Sequence, residues 1–301
     1  MSGTFPAIGL FAKPNQDVQL VLQEVISFLE KRGHELLISK DSIPHGATLA
    51  AKTLSPDKIA EKADLIIVIG GDGSLLHTAR EIVDYNIPVL GINRGKLGFL
   101  ADINPHSLTK ELSEILDGVY IEESRSMLAV KIISHGKTQH ALALNDVVLF
   151  NSNLSKMLEF SIYIDDQYVM SQRADGLITC TPTGSTAYSM SGGGPILSPN
   201  LNAVSLLPMF AHTLSSRPLV IDDRCEIKLE LIEHANIDPK ISCDGQIHIN
   251  LHCTDQIYIK THEKRLKLIH PKNYNYFQTL REKLGWNLNL TSDRFISEKT
   301  C

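Results

Sequence analysis

Residues 64–74 constrain the fold of this chain more than any other segment. They join a run of five branched apolar residues, 65–69, to the sequence Gly70-Gly71-Asp72-Gly73. A short uninterrupted apolar run is typical of a strand that is buried on both faces of a parallel sheet. Apolar residues then recur at helical spacing through residue 83. The segment therefore predicts a buried strand, a tight glycine turn and the start of a helix.

The predicted turn is a candidate phosphate site. A helix N-terminus presents unpaired backbone N–H groups and the positive end of the helix dipole, and glycines let a polyphosphate approach the backbone. Asp72 is the unexpected member, because a carboxylate repels phosphate. It fits such a site if it accepts a proton or supports a metal ion beside the phosphates. An ordinary turn with an Asp cap is the alternative, which this segment alone leaves open.

Composition excludes several classes of protein. The chain has 301 residues, a net charge of −5 and no block of basic residues. The length favours about two domains, and the charge argues against nucleic acid as a partner. The five cysteines form no Cys-x-x-Cys pair, which favours a reducing compartment without a zinc site. Because no signal peptide pattern and no apolar run of ~18 residues is present, we expect a cytoplasmic protein without a membrane partner.

The alternation of strands and helices predicts an α/β domain with a doubly wound parallel sheet, a Rossmann-like variant, over residues 1–120. Further strands are predicted at residues 7–12, 34–38 and 87–92, with a helix at 18–31. Residues 42–54 are polar and irregular, which predicts a surface loop.

From about residue 121 short strands separated by turns predict a mostly β, sandwich-like domain over residues 121–270. One long strand is predicted at residues 139–150, and one helical pattern occurs at 201–209. Apolar residues at helical spacing return after residue 271. They predict a C-terminal helical tail, residues 271–301, that packs back on the first domain.

A second glycine-rich turn, residues 93–100, follows the predicted strand 87–92. Ligands of open α/β sheets bind beyond the carboxyl ends of the strands, so this turn should lie near the first. Arg94 and Lys96 can meet phosphate there. Solvated charges on a flexible turn explain these two side chains equally well.

Residues 175–195 are dense in hydroxyl groups and glycines. Hydroxyls donate and accept hydrogen bonds, so they suit ribose, adenine and phosphate, and the Tyr188 ring can stack on a base. A loop capped by Ser and Thr is the alternative.

Two further polar groups occur in the predicted β domain. Asn145 and Asp146 interrupt the predicted strand 139–150, where burial requires a polar partner. They can equally be a satisfied structural pair. Asp244, Gly245 and Gln246 most simply close a hairpin.

These motifs together resemble one family. Residues 70–74 alone resemble NAD kinases, phosphofructokinases and the diacylglycerol and sphingosine lipid kinases. The combination with residues 93–100, Asn145-Asp146, Asp175-Gly176 and 181–195 is much narrower. With residues 212–219 and 284–286, the chain resembles bacterial NAD kinases over almost its full length.

The resemblance implies transfer of the ATP γ-phosphoryl group to the 2′-hydroxyl of the adenosine ribose of NAD, which gives NADP. It implies Mg²⁺ and a homodimer or homotetramer. Asp72 is the expected catalytic base, and Lys156 stands where related enzymes often have a His that meets phosphate. The other expected substrate-binding residues are Gly73, Phe99, Asn145, Asp146, Arg173, Asp175, Thr183, Ser185, Thr186, Ala187, Tyr188, Ser189, Met190, Ser191 and Gln246.

Two other classes remain as alternatives. A lipid or sugar kinase can use the same glycine turn, but it needs an apolar or sugar-shaped acceptor pocket. A non-catalytic dinucleotide sensor needs no carboxylate at position 72, and Asp72 is present.

Overall fold

A computed structural model describes residues 4–13, 16–42, 52–93, 98–103, 107–153, 156–233 and 236–286. The chain forms two compact units. The first comprises residues 1–75, 89–122 and 269–301, and the second comprises residues 76–88 and 123–268. The predicted division into three functional segments stays a prediction.

The first unit is built on a seven-stranded sheet with the order β3-β2-β1-β4-β5-β19-β6, in which neighbouring strands from β3 to β5 are parallel. Its strands are β1 (Ala7–Ala12), β2 (Glu35–Ser39), β3 (Lys52–Leu54), β4 (Leu65–Ile69), β5 (Pro88–Ile92), β6 (Tyr120–Arg125) and β19 (Leu266–Pro271). Its helices are α1 (Gln16–Lys31), α2 (Pro56–Ala60), α3 (Asp72–Ile82), α4 (Leu108–Leu116) and α6 (Tyr276–Leu284). The boundary between the units falls within α3.

Helices lie on both faces of this sheet. The apolar residues of α1 and α4 share one core with Leu10 and Ile67 of the strands. On the other face α2 packs so closely that a Cβ atom at Gly9 would lie 2.5 Å from the Cγ2 atom of Ile59. The glycine in β1 therefore permits the close approach of α2. The predicted doubly wound α/β fold is confirmed.

The second unit contains two antiparallel six-stranded sheets among the described residues. The first has the order β11-β10-β15-β18-β7-β8, and the second has the order β14-β13-β12-β9-β16-β17. The strands are β7 (Leu128–Ser134), β8 (Lys137–Ala143), β9 (Asp146–Asn151), β10 (Leu158–Ile164), β11 (Gln167–Ala174), β12 (Gly176–Cys180), β13 (Ala203–Met209), β14 (Leu219–Asp222), β15 (Ile227–Leu231), β16 (Pro239–Cys243), β17 (Ile247–Asn250) and β18 (Gln256–Thr261). One short helix, α5 (Tyr188–Ser191), follows β12.

The two sheets share one apolar core, as a β-sandwich does. Val147 and Leu149 of β9 lie in this core together with Phe160 of β10 and Ile257 of β18. Val148 of β9 belongs to a separate apolar cluster with Ile178 and Met209. Because successive side chains of a strand point to opposite faces, the second sheet has an apolar inner face and a second, partly apolar outer face.

Three predictions of secondary structure were wrong. Residues 201–209 form strand β13 instead of a helix, because a central strand that is buried on both faces carries a continuous apolar run without a period of two. Residues 139–150 form two strands, β8 and β9, in different sheets, and the break falls between Ala143 and Asp146. Residues 52–54 form the edge strand β3 instead of a loop, and residues 43–51 lie outside the described residues.

The predicted C-terminal helix is present as α6. The Asn275 side chain accepts a hydrogen bond from the Gln278 backbone N–H (3.0 Å), and Gly285 ends the helix with a φ of 68°. The predicted apolar face is only partly covered, since Leu280 is 4% exposed but Phe277 and Trp286 are 60% and 59% exposed. Across the described part of the chain, the helices all lack the length and apolar character that crossing a bilayer requires.

Leu280 should therefore hold α6 in place. We expect Leu280→Ala to lower the free energy of unfolding by about 2–5 kcal/mol, because it removes a buried side chain and leaves a cavity. Phe277→Ala, on the same helix, should change it by less than about 1 kcal/mol, because most of that side chain is already in water. Denaturant unfolding of both variants measures the difference. Equal effects would contradict the docking of α6 through Leu280.

Candidate active site

The Asp72 carboxylate links the two glycine-rich turns of the first unit. Asp72 is the first residue of α3, directly after the turn that ends β4. Its Oδ2 atom accepts a hydrogen bond from the backbone N–H of Phe99 (3.0 Å), and Oδ1 accepts from Leu100 (3.1 Å) and Ala101 (3.4 Å). A Cβ atom at residue 98 would overlap Asp72 Oδ1, so Gly98 makes this approach possible. The Asp72 carboxylate thus binds the backbone of the second turn.

These hydrogen bonds leave chemical capacity at Asp72. A carboxylate has about four lone-pair positions, and the three backbone donors use three of them. Counting the donors within the described residues, one position remains for a further hydrogen-bond donor such as a substrate hydroxyl. The second turn lies beside the first, as expected, while Arg94 and Lys96 lie outside the described residues.

The second unit contains a cavity of about 560 Å³ over the outer face of its second sheet. That volume lies within the range of small-molecule sites. The cavity is lined by Asn145, Asp146, Val148, Phe150, Asn151, Lys156, Asp175, Ala187, Tyr188, Met209, Phe210, Ser242, Asp244, Gly245 and His248.

Six of the predicted binding residues line this cavity: Asn145, Asp146, Lys156, Asp175, Ala187 and Tyr188. Tyr188 and Lys156 are exposed, whereas Asp146 is buried. Arg173, Ser191 and Gln246 are also exposed, but they are not among the lining residues, and Met190 is half-buried. Gly73 and Phe99 lie in the first unit, at α3 and the second turn.

The hydroxyl-rich loop within residues 175–195 is largely buried, and several of its hydroxyl groups bind the backbone of the loop itself. The Ser185 hydroxyl donates to the Pro182 carbonyl (2.6 Å) and accepts from the Leu197 backbone N–H (2.9 Å). The Thr186 hydroxyl donates to the Thr183 carbonyl (3.2 Å), and Ser189 is fully buried. The predicted alternative, a self-capped loop, therefore describes these positions, while Ala187 and Tyr188 face the cavity.

Sequence reasoning missed the aromatic and polar residues that line the rest of the cavity. Phe150, Ser242 and His248 come from β9, β16 and β17, and Phe210 directly follows β13. Successive side chains of β9 alternate between the two faces of the sheet, so Asp146 and Phe150, four residues apart, lie on the same face. Assigning Asp146 to the site would therefore have indicated Phe150 as well. Phe210 has a φ of 47°, an uncommon conformation for an aromatic residue, and no sequence pattern indicates it.

Burial changes the acidity of Asp146. Desolvation, together with the nearby negative charge of Asp244, raises the pKa of Asp146 from 3.8 to about 7. The antiparallel neighbour of Asp146 on β12 is Cys180, whose pKa burial raises to about 11, so this thiol stays neutral beside Asp146. Asp146 therefore changes its charge near neutral pH.

The raised pKa of Asp146 predicts a pH dependence of stability. Between about pH 4 and 7 the folded state holds a proton that the unfolded state has lost, so the free energy of unfolding falls as the pH rises through this window and levels off above it. Asp146→Asn cannot ionise and should lack this component. Denaturant unfolding at pH 5 and pH 8 should show a larger loss for the parent protein than for Asp146→Asn. Identical losses would contradict a raised pKa.

The fold is that of known NAD and NADH kinases. A yeast NADH kinase, solved with NADH, superposes with a TM-score of 0.84 at 24% identity, covering 95% of this chain and 89% of the yeast chain. An NAD kinase from Archaeoglobus fulgidus, solved with ATP, gives a TM-score of 0.73 at 21% identity, covering 93% of this chain and 98% of that chain. At these identities the two structures establish the fold alone.

Sequence comparison establishes the family. Residues 8–120 match the ATP-NAD kinase N-terminal domain, and residues 144–271 match the ATP-NAD kinase C-terminal domain. The chain is 45% identical to the NAD kinase of Photobacterium profundum, over 96% of this chain and 100% of that protein. It is 44% identical to the NAD kinase of Teredinibacter turnerae, over 94% and 97% respectively. Fold and sequence together define a nucleotide phosphotransferase, and the chain belongs to the ATP-NAD kinase family.

Proposed function

We propose that this protein transfers the γ-phosphoryl group of ATP to the 2′-hydroxyl of the adenosine ribose of NAD, and that Asp72 accepts the hydroxyl proton. The activity itself follows from the family: the chain is an enzyme that phosphorylates NAD to NADP. The observation that carries the role of Asp72 is its position after β4, between glycines, with one acceptor position left beyond its three backbone donors.

The first unit binds the donor phosphates in this proposal. The turn Gly70-Gly71 leads into α3, so backbone N–H groups and the positive end of the helix dipole meet at one place. A Cβ atom at Gly71 would have no neighbour within 4 Å, which leaves room for a ligand beside the backbone. Gly73 and Phe99 flank the same turns. The ATP in the Archaeoglobus structure supports a site for this donor.

The second unit binds the acceptor nucleotide. Asn145 and Asp146 present an amide and a carboxyl group to the cavity, which suits the hydroxyls of a ribose. Tyr188 and Phe210 present exposed rings that can stack on a base. Lys156 and Asp175 lie at the same cavity, and Lys156 provides a cation for phosphate. Arg173, Thr183, Ser185, Thr186, Ala187, Ser189, Met190, Ser191 and Gln246 complete the proposed contacts directly or by holding the loop.

Positioning the two reactants next to each other accounts for most of the rate acceleration in phosphoryl transfer. The ribose hydroxyl is a poor nucleophile. Asp72 raises its reactivity when it takes the proton as the new O–P bond forms. The bond between the γ-phosphorus and the bridging oxygen breaks, ADP leaves, and the turn amides stabilise the charge on the transferred group.

We expect the magnesium ion to arrive bound to the phosphates of ATP. Within the described part of the chain, no three His, Cys, Asp or Glu side chains are grouped as a metal site. Magnesium in kinases takes most of its ligands from substrate phosphates and water, so the ion would need no cluster of protein ligands and would leave the remaining acceptor position of Asp72 to the ribose hydroxyl. The ion would neutralise charge on the phosphates.

We expect a homodimer or homotetramer in the cytoplasm, without nucleic acid or membrane partners. Analytical ultracentrifugation of the purified protein measures the oligomeric state. The comparisons give no support to a lipid or sugar kinase or to a non-catalytic sensor, since the matched domains and the curated relatives are NAD kinases.

A coupled assay tests the activity directly. Purified protein with ATP, Mg²⁺ and NAD should form NADP, which a NADP-specific dehydrogenase detects, and omission of Mg²⁺ should abolish the product. Diacylglycerol and glucose should not replace NAD. No NADP under these conditions would overturn the proposed function.

Asp72→Asn tests the proton acceptor. The substitution keeps the shape of the side chain and removes the base, so turnover should fall by ~10²–10⁴-fold while NAD affinity changes much less. Steady-state kinetics, calorimetry with NAD and a thermal melt measure the three quantities.

The outcome of Asp72→Asn separates the two readings of Asp72. A folded Asp72→Asn protein with near-parental turnover would mean that Asp72 only anchors the second turn and is not the base.

A further inference from the structure

The second unit contains a buried ion pair between two residues that are not among the expected substrate-binding residues. Arg80 of α3 donates from Nη1 to Oδ2 of Asp244 at 2.6 Å, and the two side chains are only 7% and 0% exposed. Burying two charges costs free energy that their mutual attraction often fails to recover. A pair of this kind adds little net stability compared with well-packed apolar residues, so the contacts that it makes point to a geometric role.

The geometry of Asp244 identifies what the pair holds. Its Oδ2 atom also accepts from the Leu144 backbone N–H (3.1 Å), and its Oδ1 atom accepts from the backbone N–H groups of Asn145 (2.8 Å) and Asp146 (3.3 Å). Four donors therefore fill the acceptor positions of one carboxylate. The backbone N–H of Asp244 itself donates to the Asp146 carbonyl (2.9 Å). Three consecutive residues are thus bound to one side chain.

The opposite side of the same segment is held by the hydroxyl-rich loop. Thr181 donates from its hydroxyl to the Leu144 carbonyl (2.6 Å) and from its backbone N–H to the Asn145 carbonyl (2.9 Å). A Cβ atom at Gly184 would overlap the Asn145 carbonyl oxygen, so the loop lies directly against this segment. The backbone is clamped where the chain passes from β8 in one sheet to β9 in the other. The side chains of Asn145 and Asp146 consequently enter the cavity in one orientation.

Arg80 also reaches a second group. Its Nη2 atom donates to Oε1 of Gln246 at 2.5 Å. One guanidinium group, which is planar and carries five donors in a fixed arrangement, therefore holds both the carboxylate and the amide of the turn between β16 and β17. A Lys side chain carries the same charge but lacks the planar arrangement of donors that matches both acceptors here.

We propose that Arg80 and Asp244 are positioning residues for the acceptor nucleotide: their buried ion pair fixes Asn145, Asp146 and Gln246 in the orientation that binds NAD. This inference rests on the proposed acceptor-binding role of Asn145 and Asp146. Neither Arg80 nor Asp244 needs to touch the reacting atoms. Their loss should therefore weaken NAD binding more than it slows the chemical step.

Three variants test the proposal: Arg80→Met, Arg80→Lys and Asp244→Asn. Loss of charge-assisted hydrogen bonds to the clamped segment should raise the KM for NAD by ~10–100-fold for Arg80→Met and Asp244→Asn. The KM for ATP should change by less than ~3-fold on the same scale. Arg80→Lys should recover part of the NAD affinity, because it restores the charge without the second contact. The dissociation constants for NAD, measured by calorimetry without ATP, should rank the variants in the same order.

A double variant and a surface control make the test specific. Arg80→Met with Asp244→Asn should be no worse than the more impaired single variant, because the two residues act as one unit. Arg224 and Asp222 form an exposed pair in the same unit, at 2.8 Å, so Arg224→Met should leave the KM for NAD unchanged.

The outcomes separate this inference from the proposed function. If the parent protein makes no NADP, the proposed function fails. If the parent is active and folded Arg80→Met keeps the parental KM for NAD, the positioning role alone is overturned. It is also overturned if kcat and both KM values change together, or if Lys is no better than Met. Should Asp244→Asn fail to fold in a thermal melt, the two Arg80 variants still decide.

Discussion

In each of the two units, a single aspartate carboxylate binds consecutive backbone N–H groups. Asp72 binds the amides of residues 99–101, and Asp244 binds those of residues 144–146. Buried N–H groups require an acceptor, and irregular turns have no ladder partner to supply one. A charged acceptor makes stronger hydrogen bonds than a neutral one, so a single side chain can hold three residues of a turn. The shape of each turn therefore depends on one aspartate.

The environment of Asp146 differs from that of Asp244, although the two lie in adjacent segments. Asp244 has three backbone donors and a guanidinium group around its carboxylate. Asp146 is buried at the cavity and faces the negative charge of Asp244, so its pKa rises to about 7. The Asp244 carboxylate is thus fully used in holding the backbone, whereas the Asp146 carboxyl group lies at the cavity wall. Unequal compensation of charge therefore distinguishes the environments of two neighbouring carboxyl groups.

The β-sandwich supplies the surface on which these groups act. Val147 and Leu149 of β9 anchor the strand in the core between the sheets. Val148 and Phe150 lie on the other face, where they line the cavity with Asp146. Because a strand alternates its side chains, tight packing on one face fixes the positions on the other. The rigid core therefore holds the cavity wall in register with the clamped segment between β8 and β9.

Local signals in the sequence predicted the family and most of the elements of the first unit. The apolar run of β4, its glycines and the helical spacing after them predicted the parallel sheet and the turn with Asp72, because these signals are local. Cavity-lining positions such as Asn145, Asp146 and Tyr188 were found from the motifs and the family resemblance.

The partners that hold these groups come from distant parts of the chain and become visible only in the folded protein. Arg80 and Asp244 are 164 residues apart in the chain, and their ion pair leaves no local pattern. Asp244 was interpreted as a hairpin residue, which it is, yet its carboxylate binds a segment about a hundred residues away. The break between β8 and β9 was hidden because apolar residues continue on both sides of it. Periodicity reports only which face of an element is buried, whereas hydrogen-bond partners and charge compensation depend on which segments the folded chain brings together.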